Sequence, residues 1–197
     1  MLLTLFRSIA DSTQLTILVV LANLFSDGVM FAVKLPRVQK YVDPATLPKD
    51  TIAFGDIPDT WFGFAHPPDL LGTYFASLGE EGRDAYNDIS RWENFPYMIC
   101  YVLLLGMLLV RASRKREISD IIVWVAPAVM VFDIIENIVL DMAMDVAPDN
   151  LGEVPLAIGS NACKLKWMLF VLSLIYSLGI MVLYSGCDNR PRNAHEE

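Results

Sequence analysis

Four long apolar segments constrain the fold of this chain more than any other feature of its sequence. Each approaches the length of helix, about 20 residues, that crosses the hydrocarbon core of a bilayer. Hydrophobic residues make up 54% of the chain and charged residues only 19%, whereas a soluble domain has roughly 25% charged residues. The sequence therefore predicts an all-α integral membrane protein, a single domain over residues 1–197 whose four-helix bundle uses residues 15–33, 94–110, 121–140 and 167–187.

The basic residues predict how this bundle is oriented. Segment 111–116 contains four Lys or Arg residues, and short basic loops face the cytoplasm or an equivalent compartment. Arg7 lies on the same side, as do Arg190 and Arg192, if the four spans alternate in direction. The pattern predicts that both termini are inside and that the long loop 34–93 is outside. The expected location is a bacterial inner membrane or an organelle membrane.

The long outer loop has two parts. Residues 34–68 are rich in Pro and Gly, which is typical of irregular chain. Residues 69–92 have apolar side chains at the three-to-four spacing of a helix, including Leu71, Tyr74, Phe75 and Leu78. This segment is predicted to form a surface helix on the outer face of the membrane. The alternative is a helix that caps the bundle as ordinary core, and the sequence leaves both open.

Charged and amide side chains lie inside the predicted spans, where an ionisable group costs a few kcal/mol and often serves function. Asp133, Glu136 and Asn137 are spaced i, i+3 and i+4, so they share one helical face. Asp27 and Asp133 each follow the start of their span at a similar distance, which corresponds to a depth of about 18 Å. The long side chain of Lys166 can reach this level from the outer end of the fourth span.

This polar cluster has two interpretations. In the structural one, Lys166 or Arg83 neutralises Glu136, and the network fixes the register of the helices. In the functional one, the crowded carboxylates bind a cationic or hydroxyl-bearing ligand. The candidate ligand-binding residues are Asp27, Arg83, Asp133, Glu136, Asn137 and Lys166.

Several other functions are disfavoured by the composition. The net charge of −8 argues against nucleic acid as a partner, because phosphate binding needs a basic face. The three cysteines form no CxxC motif, and both histidines, His66 and His195, lie outside the spans. We therefore expect no metal site and no cofactor. No catalytic motif is recognisable, so the sequence leaves open whether the protein is an enzyme.

Several short strings resemble those of a widespread group of small four-span membrane proteins, mostly bacterial. The strings are Leu78-Gly79-Glu80-Glu81-Gly82-Arg83, Phe95-Pro96, Phe132-Asp133-Ile134-Ile135-Glu136-Asn137 and Lys166-Trp167. The resemblance covers roughly residues 70–185 and transfers no activity. It implies that Arg83, the acids and amide of the third span, and Lys166 belong to one constellation. Where that group typically has Asp before the Phe-Pro pair, this chain has Asn94.

The four-span plan with intramembrane acids also looks distantly similar to the sterol-isomerase and sigma-2-receptor superfamily. Members of that superfamily bind sterols or cationic amphiphiles over intramembrane acids. Their motifs do not align with this sequence, so the similarity is one of architecture alone.

The leading hypothesis is a membrane protein whose intramembrane polar pocket binds a lipid-like or amphiphilic ligand. Asp133 and Glu136 would face the ligand, Lys166 or Arg83 would supply the counter-charge, and Asn137 would position the ligand. The rival hypothesis is a non-catalytic accessory subunit that packs against a larger membrane protein complex. The expected partners are membrane lipids in the first case and other membrane protein subunits in the second.

Overall fold

The computed structural model describes residues 1–47, 56–61, 63, 70–116 and 119–184 and is all-α over these ranges. The helices vary from five to 32 residues in length. They are α1 (Leu2–Asp11), α2 (Thr13–Val29), α3 (Leu35–Gln39), α4 (Leu70–Ser77), α5 (Gly79–Trp92), α6 (Met98–Arg116), α7 (Val125–Val146) and α8 (Glu153–Tyr184).

The four predicted spans are confirmed as four long apolar helical segments, each with a mean hydropathy of 1.9 over its most apolar window. They run over Thr13–Gln39, Gly79–Arg116, Asp120–Val146 and Glu153–Leu183. All four are longer than the predicted spans, because the helices continue beyond the apolar runs. The 38 residues of the second segment extend about 57 Å at 1.5 Å per residue, well beyond the roughly 30 Å hydrocarbon core.

The bundle has a compact group of three helices and a peripheral fourth. Helices α6, α7 and α8 pack against one another, whereas α2 packs on α6. Large apolar side chains cover the outside of the bundle, including Phe25 and Leu172, which are 67% and 57% exposed. Such a surface is stable only in contact with hydrocarbon. The chain is an integral membrane protein.

The ends of the spans and the outer loop together form a cap with its own core. Trp61, Tyr74 and Phe75 are completely buried there, and their rings meet edge to face. The helix predicted for this loop is present as α4 and as α5, which continues into the second span. Because the apolar side chains of α4 are buried within the protein, this helix contributes to ordinary core as well as capping the bundle.

The N-terminal helix α1 lies at the opposite end of the bundle. Its Phe6 ring packs on α6 at Gly106, and ion pairs join Arg7 to Asp120 and Arg114 to Asp11. The N-terminus therefore lies at the same end of the bundle as the basic link between the second and third spans. This is the relative arrangement that the basic residues predicted. The direction of the bundle in the membrane remains a prediction.

Some sequence predictions fall on residues outside the described ranges. They concern part of the irregular loop (48–55 and 64–69), His66, His195, the basic tail residues Arg190 and Arg192, and the last residues of the predicted fourth span (185–187).

Candidate functional site

A buried ion cluster joins α7 to α8. The Lys166 ammonium lies 3.0 Å from Asp133 Oδ1 and 2.6 Å from Glu136 Oε2. The three residues are 6%, 1% and 0% exposed. The i, i+3 spacing of the acids points both carboxylates from one face of α7 towards α8. Burial of ions is costly unless they are paired and hydrogen-bonded, and Lys166 pairs with both acids at once.

Helix α6 adds a third side to this cluster. The hydroxyl of Tyr101 donates a hydrogen bond to Asp133 Oδ2, so the two oxygens of Asp133 receive bonds from different helices. Asn137 is buried one residue beyond Glu136 and is 4% exposed. Its amide nitrogen has no hydrogen-bond partner among the described residues. The structure therefore brings four predicted residues together: Asp133, Glu136, Asn137 and Lys166.

Asp27 lies beside this cluster and is connected to it only indirectly, through Tyr97 and Tyr101. Its half-buried carboxylate accepts a hydrogen bond from the Tyr97 hydroxyl. When the amide of Asn23 is oriented so that both its oxygen and its nitrogen form hydrogen bonds, the nitrogen donates to Asp27 Oδ2 at 3.2 Å. The rings of Tyr97 and Tyr101 are 5.6 Å apart. The sequence predicted that Asp27 and Asp133 lie at a common depth, and in the structure two tyrosines connect them indirectly.

Arg83 is not part of the cluster, contrary to the sequence prediction. Its guanidinium donates to the carbonyl of Phe75 at 3.5 Å and lines a separate outer cavity with Glu80, Asp84 and Asp145. Arg83 belongs to α5, which projects beyond the apolar part of the second span. The counter-charge of the buried acids is therefore Lys166.

A cavity of about 70 Å³ opens beside the ion cluster. It lies between the outer end of the first span and α8, with α6 and α7 as its floor. The lining combines three charged side chains with aromatic and aliphatic ones. The lining residues are Met30, Phe31, Leu35, Ile57, Thr60, Glu93, Tyr97, Tyr101, Val129, Asp133, Lys166, Trp167 and Phe170.

Four aromatic rings form one continuous wall of this cavity. Tyr101 and Phe170 meet edge to face at 5.9 Å, as do Trp167 and Phe170 at 6.2 Å, and Tyr97 extends the wall beyond Tyr101. The Lys166 ammonium lies 5.5 Å from the centroid of the Trp167 ring. The wall therefore presents aromatic faces and edges next to buried charges.

The segment over residues 56–61 roofs the cavity. Ile57 and Thr60 line it from above, and Trp61 fixes the segment because its side chain is completely buried. The thiol of Cys163 on α8 donates to the Trp61 carbonyl at 2.8 Å. The Tyr74 hydroxyl donates to the carbonyl of Asp56 at 3.0 Å.

Two π-helical turns flank the cavity, Met30–Lys34 and Glu93–Tyr97. Each occurs where a proline, Pro36 or Pro96, follows closely or lies within the turn. A proline lacks the N–H for the usual bond and its ring crowds the carbonyl four residues earlier, which favours a widened turn. Met30, Phe31, Glu93 and Tyr97 all line the cavity from these two turns.

Sequence reasoning missed Glu93, Tyr97 and Tyr101 as site residues. Glu93 is only 5% exposed, although it stands at the predicted membrane boundary. Their spacing in the sequence could have identified them, because residues at i, i+4 and i+8 share one face of a helix. Trp167 and Phe170, which follow Lys166 on α8 by one and four residues, were also not predicted as site residues.

Comparisons of the chain with protein-family models, with curated proteins and with solved structures find no match. Among the described residues, no three His, Cys, Asp or Glu side chains converge as metal ligands. The cavity offers buried carboxylates, one ammonium and aromatic rings, a set suited to binding a polar group attached to an apolar body.

Proposed function

We propose that this cavity binds a lipid-like or amphiphilic molecule from the surrounding bilayer. The polar head of the ligand lies in the cavity against Glu93, Asp133 and Lys166 and beside the aromatic wall, and its apolar chain extends past Phe31 into the bilayer. Asp133 and Glu136 fix the position of Lys166, and Tyr101 fixes that of Asp133. The chain then acts as a membrane protein that holds or presents such a molecule.

One observation carries this proposal, the abrupt change from polar to apolar lining within a single cavity. Its charged side chains lie on α7, α8 and the second π-turn, whereas Met30, Phe31 and Leu35 line the side of the first span. Phe31 is 56% exposed and therefore contacts lipid at the edge of the cavity. Because 70 Å³ is far below the roughly 300 Å³ of a drug-sized pocket, the cavity accommodates a headgroup while the chain remains in the bilayer.

Ligand retention by the purified protein tests the proposal. The protein is extracted from its native membrane in mild detergent, and bound lipids are counted by native mass spectrometry. We expect the double variant Asp133→Asn, Glu136→Gln to lose at least about tenfold of the retained lipid, since a charge-assisted hydrogen bond contributes about 1.5–3 kcal/mol. Asp145→Asn is the matched control, because Asp145 is an exposed acid on the same helix.

A second variant tests the same cavity by filling it, and the unfolding midpoint of each variant in detergent separates loss of lipid from loss of fold. Val129→Phe adds bulk at the cavity floor and leaves every charge in place, so it should also release the lipid. Unchanged retention in the double variant would contradict the proposal. Co-purification of stoichiometric protein partners without bound lipid would instead favour the accessory-subunit hypothesis.

A further inference from the structure

We infer that the face of α2 beside Asp27 docks a transmembrane helix of another protein, and that this helix carries a lysine or arginine at the depth of Asp27. The inference goes beyond the proposed function, because Asp27 is not among the residues that line the cavity. It follows from the partners of Asp27, from the exposed side of the first span next to it, and from the positions of the basic residues of this chain.

Asp27 is an intramembrane acid that lacks a counter-charge. Its depth of about 18 Å places it inside the roughly 30 Å hydrocarbon core. The Tyr97 hydroxyl and the Asn23 amide nitrogen both donate to its carboxylate, and the Asn23 oxygen accepts from the backbone N–H of Tyr101 at 3.3 Å. Among the residues that the structure describes, no Lys or Arg forms an ion pair with Asp27. Acids at this depth usually pair with another ionisable group, so a basic residue is the missing partner.

The first span leaves room beside Asp27 for a neighbouring helix. Leu24 and Phe31 lie three residues before and four residues after Asp27, on the same side of the helix, and are 61% and 56% exposed. Gly28 follows Asp27 directly, and a Cβ atom there would meet nothing within 4 Å. Small residues allow the backbones of membrane helices to approach closely. A basic side chain on such a helix can therefore reach the half-buried carboxylate of Asp27.

The described basic residues of this chain do not suit this role in a second copy. Lys166 reaches the level of the buried acids, but it is only 6% exposed and pairs with both acids of α7. Others lie towards the ends of the bundle, such as Lys34, which pairs with Asp88 at 2.6 Å, and the segment 111–116. The charge complementary to Asp27 therefore comes from a different protein.

Model transmembrane peptides test the inference on the full chain. The protein, with a donor dye on a carboxyl-terminal tag, is reconstituted into phosphatidylcholine vesicles with acceptor-labelled leucine-rich peptides of about 20 residues. The peptides have identical flanks and carry Lys, Gln or Leu at the centre, and resonance energy transfer measures their association at equal peptide-to-lipid ratios. We expect the Lys peptide to associate at least about fivefold more tightly than the Leu peptide, the effect of one polar contact between membrane helices, and more tightly than the Gln peptide.

Variants locate the contact on α2. Asp27→Asn should reduce association of the Lys peptide to the level of the Leu peptide. Asp141→Asn is the matched control, at an acid of another span that accepts from Ser90. Gly28→Leu should also weaken association, because it fills the space beside Asp27. Gly179→Leu should not, although a Cβ atom there likewise meets nothing within 4 Å.

The outcomes also separate this inference from the proposed function. Equal association of the Lys and Leu peptides would overturn the inference and leave the amphiphile site in place. A Gln peptide that binds as tightly as the Lys peptide, or a preference for Lys that survives Asp27→Asn, would overturn it too. Energy transfer between two labelled copies of the protein that is lost in Gly28→Leu would assign this face to a second copy instead. Lipid retention that does not depend on Asp133 and Glu136 would contradict the proposed function alone.

Discussion

Lys166 determines the state of the buried cluster, because it is the group that both acids of α7 contact. Its neighbour Lys164 stands two residues away on α8 and is exposed. The same residue type thus occurs in two environments on one helix. Replacing each lysine in turn, and comparing the two losses of unfolding free energy, measures the cost of removing a buried counter-charge.

Lys166→Met should destabilise the protein by about 3–5 kcal/mol, since the variant leaves two carboxylates buried without their ammonium. Lys164→Met should change the stability by no more than about 0.5 kcal/mol. Reversible unfolding in detergent micelles measures both values. Adding Asp133→Asn and Glu136→Gln to Lys166→Met should recover part of the loss, because the uncompensated charge is then gone. Equal effects of the two lysine variants would contradict the assigned role of Lys166.

Tyr101→Phe should cost about 1.5–3 kcal/mol, because it removes a buried donor to the charged Asp133. Tyr176→Phe is its matched control. The Tyr176 hydroxyl is buried without a partner among the described residues, so its removal should be neutral or slightly stabilising. The same unfolding assay compares the two, and a larger loss in Tyr176→Phe would show that the hydrogen bond to Asp133 is unimportant.

The site could be predicted in part at this scale. Asp133, Glu136 and Asn137 were found because their spacing within one helix is a local property of the sequence. Lys166 followed from its depth. Arg83 was placed wrongly, because its position depends on how far α5 projects past the membrane, and Glu93 was missed because burial of a boundary residue depends on the cap above it.

At the scale of elements, helix α1 packs on α6 through Phe6 and is joined to α6 by the Arg114–Asp11 ion pair and to the start of the third span by the Arg7–Asp120 ion pair. A Cβ atom at Gly106 would lie 2.5 Å from atoms of the Phe6 ring, whereas one at Gly179 would meet nothing within 4 Å. The docking of α1 thus depends on the absence of a side chain at position 106.

Gly106→Val should displace Phe6 and loosen α1, at a cost of about 1–3 kcal/mol for overpacking. A spin label at Ser8→Cys, on the exposed side of α1, reports the mobility of this helix in electron paramagnetic resonance spectra. Gly179→Val should leave the spectrum unchanged. Phe6→Ala combined with Gly106→Val should relieve the clash, and a label that stays immobile in Gly106→Val would refute the contact.

Acid should release the same helix. The guanidinium of Arg114 holds the pKa of Asp11 below its ordinary value of 3.8, so this pair stabilises the docked state above that value and the contribution is lost as the pH falls through the lowered pKa. The Ser8 label should therefore become more mobile below about pH 4. Asp11→Asn should reduce this pH dependence, and an identical pH profile in that variant would assign the effect to another group.

Helices were predicted well where a continuous stretch of sequence determines them. Hydropathy identified the four spans because each apolar run is continuous in sequence. The lengths of the helices were underestimated, since the acidic residues of α5 resemble a separate helix outside the membrane. That helix continues into α6 through the π-turn at Pro96, and no local pattern distinguishes a turn of this kind from a break.

For the whole molecule, the two ends of the bundle differ in charge and in structure. One end holds α1 and the basic segment 111–116, and the other holds the cap, the acidic cavity beside Arg83 and the cavity that we propose binds an amphiphile. The positive-inside rule predicts that the first end faces the cytoplasm or its equivalent. On this prediction, the cavity lies in the outer half of the bilayer.

Single-cysteine labelling tests this topology. Cysteines are placed at Lys115 and at Asn150, both exposed, in a background without the native cysteines. A membrane-impermeant maleimide should label Asn150→Cys in intact cells or sealed organelles and Lys115→Cys only after permeabilisation. The reverse pattern would invert the protein in the membrane and place the cavity in the inner leaflet.

The most direct test of the central claim is an experimental structure of the protein extracted from its native membrane without exchange of its lipids. The account predicts elongated non-protein density that enters the cavity beside Phe31 and ends within about 3 Å of Glu93 or Asp133, the distance of a hydrogen bond. A cavity that contains only water, or one occupied by a helix of a partner protein, would contradict it.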